Sequence, residues 1–398
     1  MRLKDITTLN PQCNIDTLST DVSFVPMESI RTGCLTPQYI DFNLGKNKYN
    51  YFAEGDLLIA KVTPCFENGN IAIAEILKEH VGFGSSELFV LRCGEKINNR
   101  FLFYLCLTVG FKNAACATMT GVAGLKRISP LFMRTYEVDL PSIADQSRIA
   151  KYLDTKTSAI DSRISVLEQK RDAYGRLKKS IINDAVTHGL NPNVKTKDSG
   201  VEWIGEIPEH WEVKRFKEFA YTTKGKQTEY LDEQVEGSEI VLTVETLRQD
   251  IPTFFNYAIM PDKKQYCTTD DLVVIWDGAG VGELLRAKDG ILSSTIAKVT
   301  VDETKVLKEY LWLWRYKIEY TLKSIPTGMG IPHLNPTLLN NFMIPVPPLA
   351  EQKEIINVLS KQTEKLSDAI TLLNAQIEKY KLLKRSLINE VITGQRAV

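Results

Sequence analysis

The sequence predicts an α+β protein of two similar globular units, each followed by one long helix, with the two helices paired as an antiparallel coiled coil. Three observations predict this pseudo-two-fold internal repeat. The chain matches itself at a shift of 206 places, which carries Gln146 onto Gln352. The matching segments have an apolar residue at every seventh place. The segments ahead of them contain short β-branched and aromatic runs broken by Gly, Pro, Asn and Asp.

The repeated segment predicts a pair of long helices. Identical residues recur without a gap over about 40 positions, so each helix should be roughly 60 Å long at about 1.5 Å per residue. Ile149, Ile164 and Leu177, with their counterparts Ile355, Ile370 and Leu383, add to an apolar seam that needs a partner helix. The seventh-place positions of that seam are Leu153, Ile160, Leu167, Tyr174 and Ile181 in the first helix and Leu359, Leu366, Leu373, Tyr380 and Leu387 in the second.

The globular segments also resemble each other, with small gaps. The run from Ala53 to Ile59 matches that from Thr269 to Ile275, and Ser85-Ser86 matches Ser293-Ser294. Residues 120–130 match residues 327–336, ending in Ser129-Pro130 and Asn335-Pro336. Each unit is therefore expected to carry the same short strands and turns.

Composition excludes several classes of protein. The chain has 398 residues, 49 basic and 49 acidic, and no run of 18 apolar residues, so we expect two or three compact units, no membrane span and a cytoplasmic location. Seven cysteines without a C-x-x-C pair argue against a disulfide framework or a zinc ribbon.

Catalytic and cofactor motifs give no support for an enzyme. The glycines at 278, 280 and 282 follow an apolar run, but their spacing does not fit a dinucleotide-binding loop, and a turn at a strand end is the better interpretation. No P-loop and no adenine-methyltransferase motif occur. The four histidines, at 80, 188, 210 and 333, are too scattered to form a metal site. The chain by itself is therefore expected to bind rather than to catalyse.

Two proline-containing segments carry a resemblance to a known family. Leu140-Pro141-Ser142-Ile143-Ala144-Asp145-Gln146 and Val346-Pro347-Pro348-Leu349-Ala350-Glu351-Gln352 resemble the P-L-P-P-L-x-E-Q signature of the specificity (S) subunit of type I restriction–modification systems. The segment from Trp203 to Trp211, WIGEIPEHW, resembles that family's lead into a target-recognition domain. The first half lacks this preface and begins at Arg2, which aligns with Arg215.

The resemblance implies a domain order. It comprises a first target-recognition domain (1–141), a first spacer helix (142–189), a linker leading into the second unit (190–213), a second target-recognition domain (214–346) and a second spacer helix (347–398). It also implies a non-catalytic subunit that reads a bipartite, asymmetric DNA target in a host-defence complex. Two methyltransferase subunits and, through them, restriction subunits would be its partners. S-adenosylmethionine, ATP and Mg²⁺ would act on those partners, and this chain would bind no cofactor or metal.

Residues that read bases should lie in loops, because only side chains that reach base edges distinguish base pairs. In the first unit the candidates are Lys61, Thr63, Lys126 and Arg127. In the second unit they are Lys224, Lys226, Gln227, Trp276, Asp277, Thr327 and His333.

Charge sets a condition on DNA binding. Residues 188–350 hold 18 basic and 23 acidic residues, a net charge of −5, whereas a protein that gripped phosphates alone would be basic. Either the basic residues share one face, or partner subunits supply much of the contact with the backbone. An alternative of another class is a coiled-coil scaffold that spaces two protein-binding modules without reading DNA.

Overall fold

The computed structural model describes residues 1–18, 20–121, 125–249, 255–259, 263–324 and 332–398. These residues form two compact units. The first contains Met1–Gln169 and Leu373–Val398, and the second contains Lys170–Leu372. Each unit therefore holds one globular region together with part of each long helix.

The first globular region is built on two four-stranded sheets and a two-stranded ribbon. Its strands are β1 (Thr7–Leu9), β2 (Asp21–Val25), β3 (Ile30–Arg31), β4 (Cys34–Leu35), β5 (Gln38–Asp41), β6 (Asn50–Ala53), β7 (Leu57–Ala60), β8 (Ile71–Ile73), β9 (Val81–Gly84) and β10 (Leu88–Cys93). One sheet has the order β1-β10-β7-β8 and is antiparallel throughout. The other has the order β5-β2-β9-β6, in which only β2 and β9 run parallel. Its helices are α1 (Phe42–Lys46), α2 (Asn99–Leu107), α3 (Val109–Ala117), α4 (Pro130–Thr135) and the long α5 (Ile143–His188).

The second region repeats this plan. Its strands are β11 (Thr196–Asp198), β12 (Glu206–Pro208), β13 (Glu212–Arg215), β14 (Ala220–Lys224), β15 (Ser238–Leu242), β16 (Tyr257–Ile259), β17 (Tyr266–Cys267), β18 (Leu272–Ile275), β19 (Leu284–Arg286), β20 (Gly290–Leu292), β21 (Ile296–Val301) and β22 (Met343–Val346). Its helices are α6 (Val244–Arg248), α7 (Lys308–Leu313), α8 (Arg315–Ser324), α9 (Pro336–Asn340) and the long α10 (Leu349–Ile392).

Sheet order confirms the internal repeat. The antiparallel sheet β14-β21-β18-β19 corresponds strand for strand to β1-β10-β7-β8. The sheet β16-β15-β20-β17 corresponds to β5-β2-β9-β6, and its single parallel pair, β15 with β20, lies at the same place. Two regions whose sequences match in short segments therefore share one topology, as the predicted α+β duplication requires.

The long helices pair antiparallel in both units. In the first unit, Asp161 of α5 accepts hydrogen bonds from Lys384 of α10 at 2.7 and 2.8 Å, while Leu153 shares a core with Leu387 farther along α10. In the second unit, the Lys178 ammonium donates to the Ser367 hydroxyl at 2.6 Å. α5 has 46 residues and α10 has 44. The predicted antiparallel helix pair is confirmed.

Burial along the helices follows the seam with one difference. Leu153, Leu359, Leu373 and Leu387 are buried, and the other six seventh-place residues are partly covered. Leu177 and Leu383, which we expected beside the seam, are 47% and 51% exposed. Two helices cover only one stripe of each other, so positions at its margin remain in solvent.

Residues 190–213, predicted as a linker, belong to the folded core of the second unit. Within this segment β11 pairs with β12, and Trp211 and Ile207 are fully buried. The Trp211 indole N–H donates to the Glu351 carboxylate at 3.0 Å, which ties the segment to the first turn of α10. Gly200 and Gly205 lie with positive φ in the turn between β11 and β12, and Pro208 is the last residue of β12.

A buried glutamine marks the start of each long helix. The Gln146 side chain accepts from the backbone N–H of Asn98 at 2.9 Å and donates to the carbonyls of Lys96 and Pro141 at 3.1 and 3.0 Å. Gln352 makes the same three bonds, accepting from Leu307 at 2.8 Å and donating to the carbonyls of Lys305 and Pro347 at 3.0 and 2.9 Å. Both glutamines are at most 1% exposed. One carboxamide thus fixes each long helix to the segment that leads into α2 or α7.

Across the described part of the chain, no helix combines the length and the apolar character that a membrane crossing requires.

We expect Gln352→Ala to lower the free energy of unfolding of the second unit by about 2–4 kcal/mol, because it leaves three backbone groups without their partner. Urea titration followed by tryptophan fluorescence measures this unit alone, since all five tryptophans lie between residues 203 and 314. Gln362→Ala, on an exposed turn of the same helix, is the control and should change the value by less than about 0.5 kcal/mol. Equal unfolding midpoints for the two variants would show that the three hydrogen bonds of the Gln352 carboxamide contribute little to the stability of the second unit.

Candidate nucleic-acid interface

In the first unit, four predicted contact residues come together where β7 ends. The backbone N–H of Thr63 donates to the Lys126 carbonyl at 3.0 Å, and the Lys126 N–H donates to the Thr63 hydroxyl oxygen at 3.0 Å. Val62 forms an isolated bridge with Arg127. Lys61 accepts at its carbonyl from the N–H of Ile128 at 3.0 Å. Two segments far apart in sequence thus form one surface.

Arg127 lies in a groove of about 750 Å³ beside α4. Its Nε and Nη2 donate to the two carboxylate oxygens of Glu87, each at 2.9 Å. These hydrogen bonds lower the pKa of Glu87, so its carboxylate stays ionised at neutral pH. The side chains of Arg127 and Glu87 are 51% and 32% exposed, so the pair stands at the protein surface.

Lys61 lies deeper in the same groove. Its ammonium donates to the Ser86 carbonyl at 2.6 Å and is 4.7 Å from the centroid of the Phe89 ring. Burial lowers the pKa of this ammonium. The carboxylate of Glu87 raises that pKa, and the positive charge of Arg127 lowers it. Lys61 therefore packs within the wall of the groove, and Arg127 lies at its exposed edge.

In the second unit the same framework carries other side chains. The backbone N–H of Lys61 donates to the Glu87 carbonyl at 2.9 Å, and that of Trp276 donates to the Thr295 carbonyl at 2.8 Å. The backbone N–H of Leu334 donates to the Trp276 carbonyl at 2.7 Å, in the same way as the N–H of Ile128 donates to the Lys61 carbonyl. These bonds establish three pairs of equivalent positions, namely Lys61 with Trp276, Glu87 with Thr295, and Arg127 with His333. Strand register places Ala60, and not Ile59 as in the sequence match, at the position equivalent to Ile275.

Asp277 organises the second surface. Its Oδ1 is 2.6 Å from Nδ1 of His333, and its Oδ2 accepts from the Lys224 ammonium at 2.8 Å. Burial favours the neutral acid, but the hydrogen bonds from His333 and Lys224 outweigh it and hold the pKa of Asp277 below its ordinary value. The Lys224 ammonium also lies 5.9 Å from the ring centroid of Trp276. Four of the predicted residues therefore form one cluster.

The remaining predicted residues differ in what the structure describes. Lys226 and Gln227 are exposed and follow the end of β14. Between them and that strand, Gly225 approaches the Ser293 carbonyl so closely that an added Cβ would lie 2.2 Å from its oxygen. Thr327 lies outside the described residues.

Sequence reasoning missed Glu87 and Thr295. The match of Ser85-Ser86 with Ser293-Ser294 stopped one residue short of them. The signal that could have found them is the next place in this alignment, where an acidic residue stands opposite a hydroxyl side chain. The role of Glu87 is visible only in the structure, because its partner Arg127 lies 40 residues away in sequence.

The glycines at 278, 280 and 282 form the turn of a hairpin. Gly282 donates from its N–H to the Ile275 carbonyl at 2.8 Å, and β19 pairs antiparallel with β18 directly after the turn. A phosphate-binding loop would lead into a helix instead. Over the described residues, no three His, Cys, Asp or Glu side chains are grouped as a metal site would require.

Comparisons with known proteins agree with this architecture. The family profile described as the type I restriction modification DNA specificity domain matches residues 1–169 and 208–379, once in each half of the chain. The type I restriction enzyme MjaVIII specificity subunit of Methanocaldococcus jannaschii is 34% identical over 189 residues, which are 47% of this chain and 43% of that protein. The chain therefore matches less than half the length of this relative.

Two further similarities extend over most of the chain. The putative MjaX specificity subunit of the same organism is 23% identical over 86% of this chain and 78% of its own. A chain from a solved structure concerned with complex assembly and conformational transition of the type I R-M system superposes with a TM-score of 0.72 and 17% identity. It covers 98% of this chain and 96% of its own, and at that identity the likeness bears on the fold.

The family profile alone accounts for well over half of the sequence, and it falls on the two units that repeat each other in topology. The chain belongs to the type I restriction–modification DNA specificity family.

Proposed function

We propose that this chain is the subunit that reads the DNA sequence for a type I restriction–modification complex. The observation that supports this most directly is the pair of equivalent surfaces that differ in side chains. Lys61, Glu87 and Arg127 occupy one framework, while Trp276, Thr295 and His333 occupy the other. Two similar frameworks with different donors and acceptors suit a target in two unlike parts, separated by bases that are not read.

The duplication also supports the recruitment of two copies of one partner. Repeated surfaces bind repeated partners, so two methyltransferase subunits would dock, one per unit, and restriction subunits would join through them. S-adenosylmethionine, ATP and Mg²⁺ would act on those subunits, where the base is flipped and methylated. This division of labour suits the net charge of −5 over residues 188–350, because partners would provide much of the contact with phosphates.

Selection from a pool of random DNA duplexes tests the proposal against the scaffold alternative. The chain is mixed with its methyltransferase subunits, and bound duplexes are sequenced. We expect enrichment of one asymmetric two-part motif with a fixed gap. Tight assembly with the methyltransferase subunits but no enriched motif would favour a scaffold that spaces protein-binding modules.

We expect replacement of residues 1–140 by the equivalent unit of another specificity subunit to change one half of the motif and leave the other half unchanged. The donor unit must keep the residues that pack against Leu387, Ile388 and Val391, because the end of α10 completes the core of the first unit. The same selection experiment measures the outcome. Altered bases in both halves would contradict independent reading by the two units.

We expect Arg127→Ala to weaken binding to the selected duplex about 10- to 100-fold and to relax the preference at one base pair, as loss of a base-reading arginine does. Lys178→Ala is the control, because the Lys178 ammonium is engaged by Ser367 between the helices. That variant should weaken binding equally for all duplexes or not at all. Competition binding against random duplexes separates the two cases, and equal losses on both kinds of duplex for Arg127→Ala would exclude base reading by Arg127.

A further inference from the structure

The Arg127–Glu87 pair uses one particular edge of the guanidinium. Glu87 binds the side formed by Nε and Nη2, with two bonds of 2.9 Å. A guanidinium has five N–H donors in a rigid plane, so this leaves both hydrogens of Nη1 and one of Nη2. Among the described residues, Nη1 has no hydrogen-bond partner. The remaining edge is itself a two-pronged donor.

Both members of the pair stand on fixed backbone. The backbone N–H of Arg127 donates to the Thr120 carbonyl at 2.8 Å, and the Arg127 carbonyl accepts from the N–H of Thr120 at 3.0 Å. Glu87 accepts at its carbonyl from Lys61 at 2.9 Å, and its N–H donates to the Ser85 hydroxyl oxygen at 3.2 Å. The free edge of Arg127 is therefore held in one orientation before any ligand arrives, which lowers the entropy lost on binding.

Stability of the fold does not explain this pair. Its side chains are 51% and 32% exposed, and exposed ion pairs contribute little to stability because water and salt screen them. A negative charge at a DNA-facing surface also opposes binding to phosphates. A carboxylate at this place is therefore unfavourable for general DNA affinity and needs another reason.

We propose that Glu87 is a positioning residue that presents the free Nη1/Nη2 edge of Arg127 to O6 and N7 of one guanine in the first half of the target. Guanine offers these two acceptors side by side in the major groove, and a two-pronged arginine contact is the commonest way to read it. This inference rests on the proposed function. In the second unit Thr295 and His333 take the two places, so the second half of the target is read by different chemistry.

The test uses the chain assembled with its methyltransferase subunits and the duplex selected above. Each guanine of the first half is replaced in turn by 7-deazaguanine, which lacks the N7 acceptor. Wild type should lose about tenfold in affinity at one position. For Arg127→Ala the same replacement should cost less than about twofold, because the contact is already gone.

Glu87→Gln distinguishes positioning from a structural role. It should lower the preference for guanine over adenine at that position about three- to tenfold, while affinity for random duplexes stays equal or rises because a negative charge is removed. A folding defect would lower both. Glu309→Gln is the matched control, since Glu309 on α7 forms a similar exposed two-bond pair with Arg286 at the end of β19, and it should leave both values unchanged.

The outcomes separate the inference from the function on which it rests. If no two-part motif is enriched by wild type, the proposed function fails. If a motif is enriched but has no 7-deazaguanine-sensitive guanine in its first half, the function stands and the guanine contact is overturned. If Glu87→Gln keeps the wild-type preference within twofold, or Glu309→Gln loses it equally, Glu87 does not position Arg127.

Discussion

A single buried carboxamide connects each long helix to its globular region, and much of the architecture depends on it. Gln146 and Gln352 each satisfy one N–H and two carbonyls that would otherwise be buried without partners. A carboxamide can donate and accept at once, which neither a carboxylate nor an ammonium can do. The direction of each helix is thereby set relative to the segment that leads into α2 or α7.

Backbone and side chains have different roles at the ends of β7 and β18. The sites at the ends of β7 and β18 are held by main-chain hydrogen bonds that any residue can make, such as those between positions 61 and 87 or 276 and 295. Side chains at those positions are then free to differ without loss of the framework. A lysine, a glutamate and an arginine in one unit stand where a tryptophan, a threonine and a histidine stand in the other.

The sequence predicts the repeat, the two helices and their antiparallel pairing, because identical residues and heptad spacing extend over many positions. It also predicts, from turn-forming residues nearby, that contact residues of the first unit lie in loops, namely Lys61, Thr63, Lys126 and Arg127. It does not predict that Glu87 binds Arg127, since nothing local relates residues 40 places apart. The sequence of residues 190–213 predicts a linker because glycine and proline are common in linkers. They are equally common in tight turns, and only the packing of Trp211 and Ile207 distinguishes the two cases.

The division of α10 between the two units bears on how the chain folds as it is synthesised. Leu387, Ile388 and Val391 lie in the same core as Leu3, Phe89 and Leu153. The ribosome makes the amino-terminal region first, yet that region lacks part of its apolar interior until residues beyond 387 have emerged. A nascent first unit therefore exposes an apolar surface while residues 170–386 are being synthesised. A stop codon just before residue 387 would remove part of the core of the region that was made first.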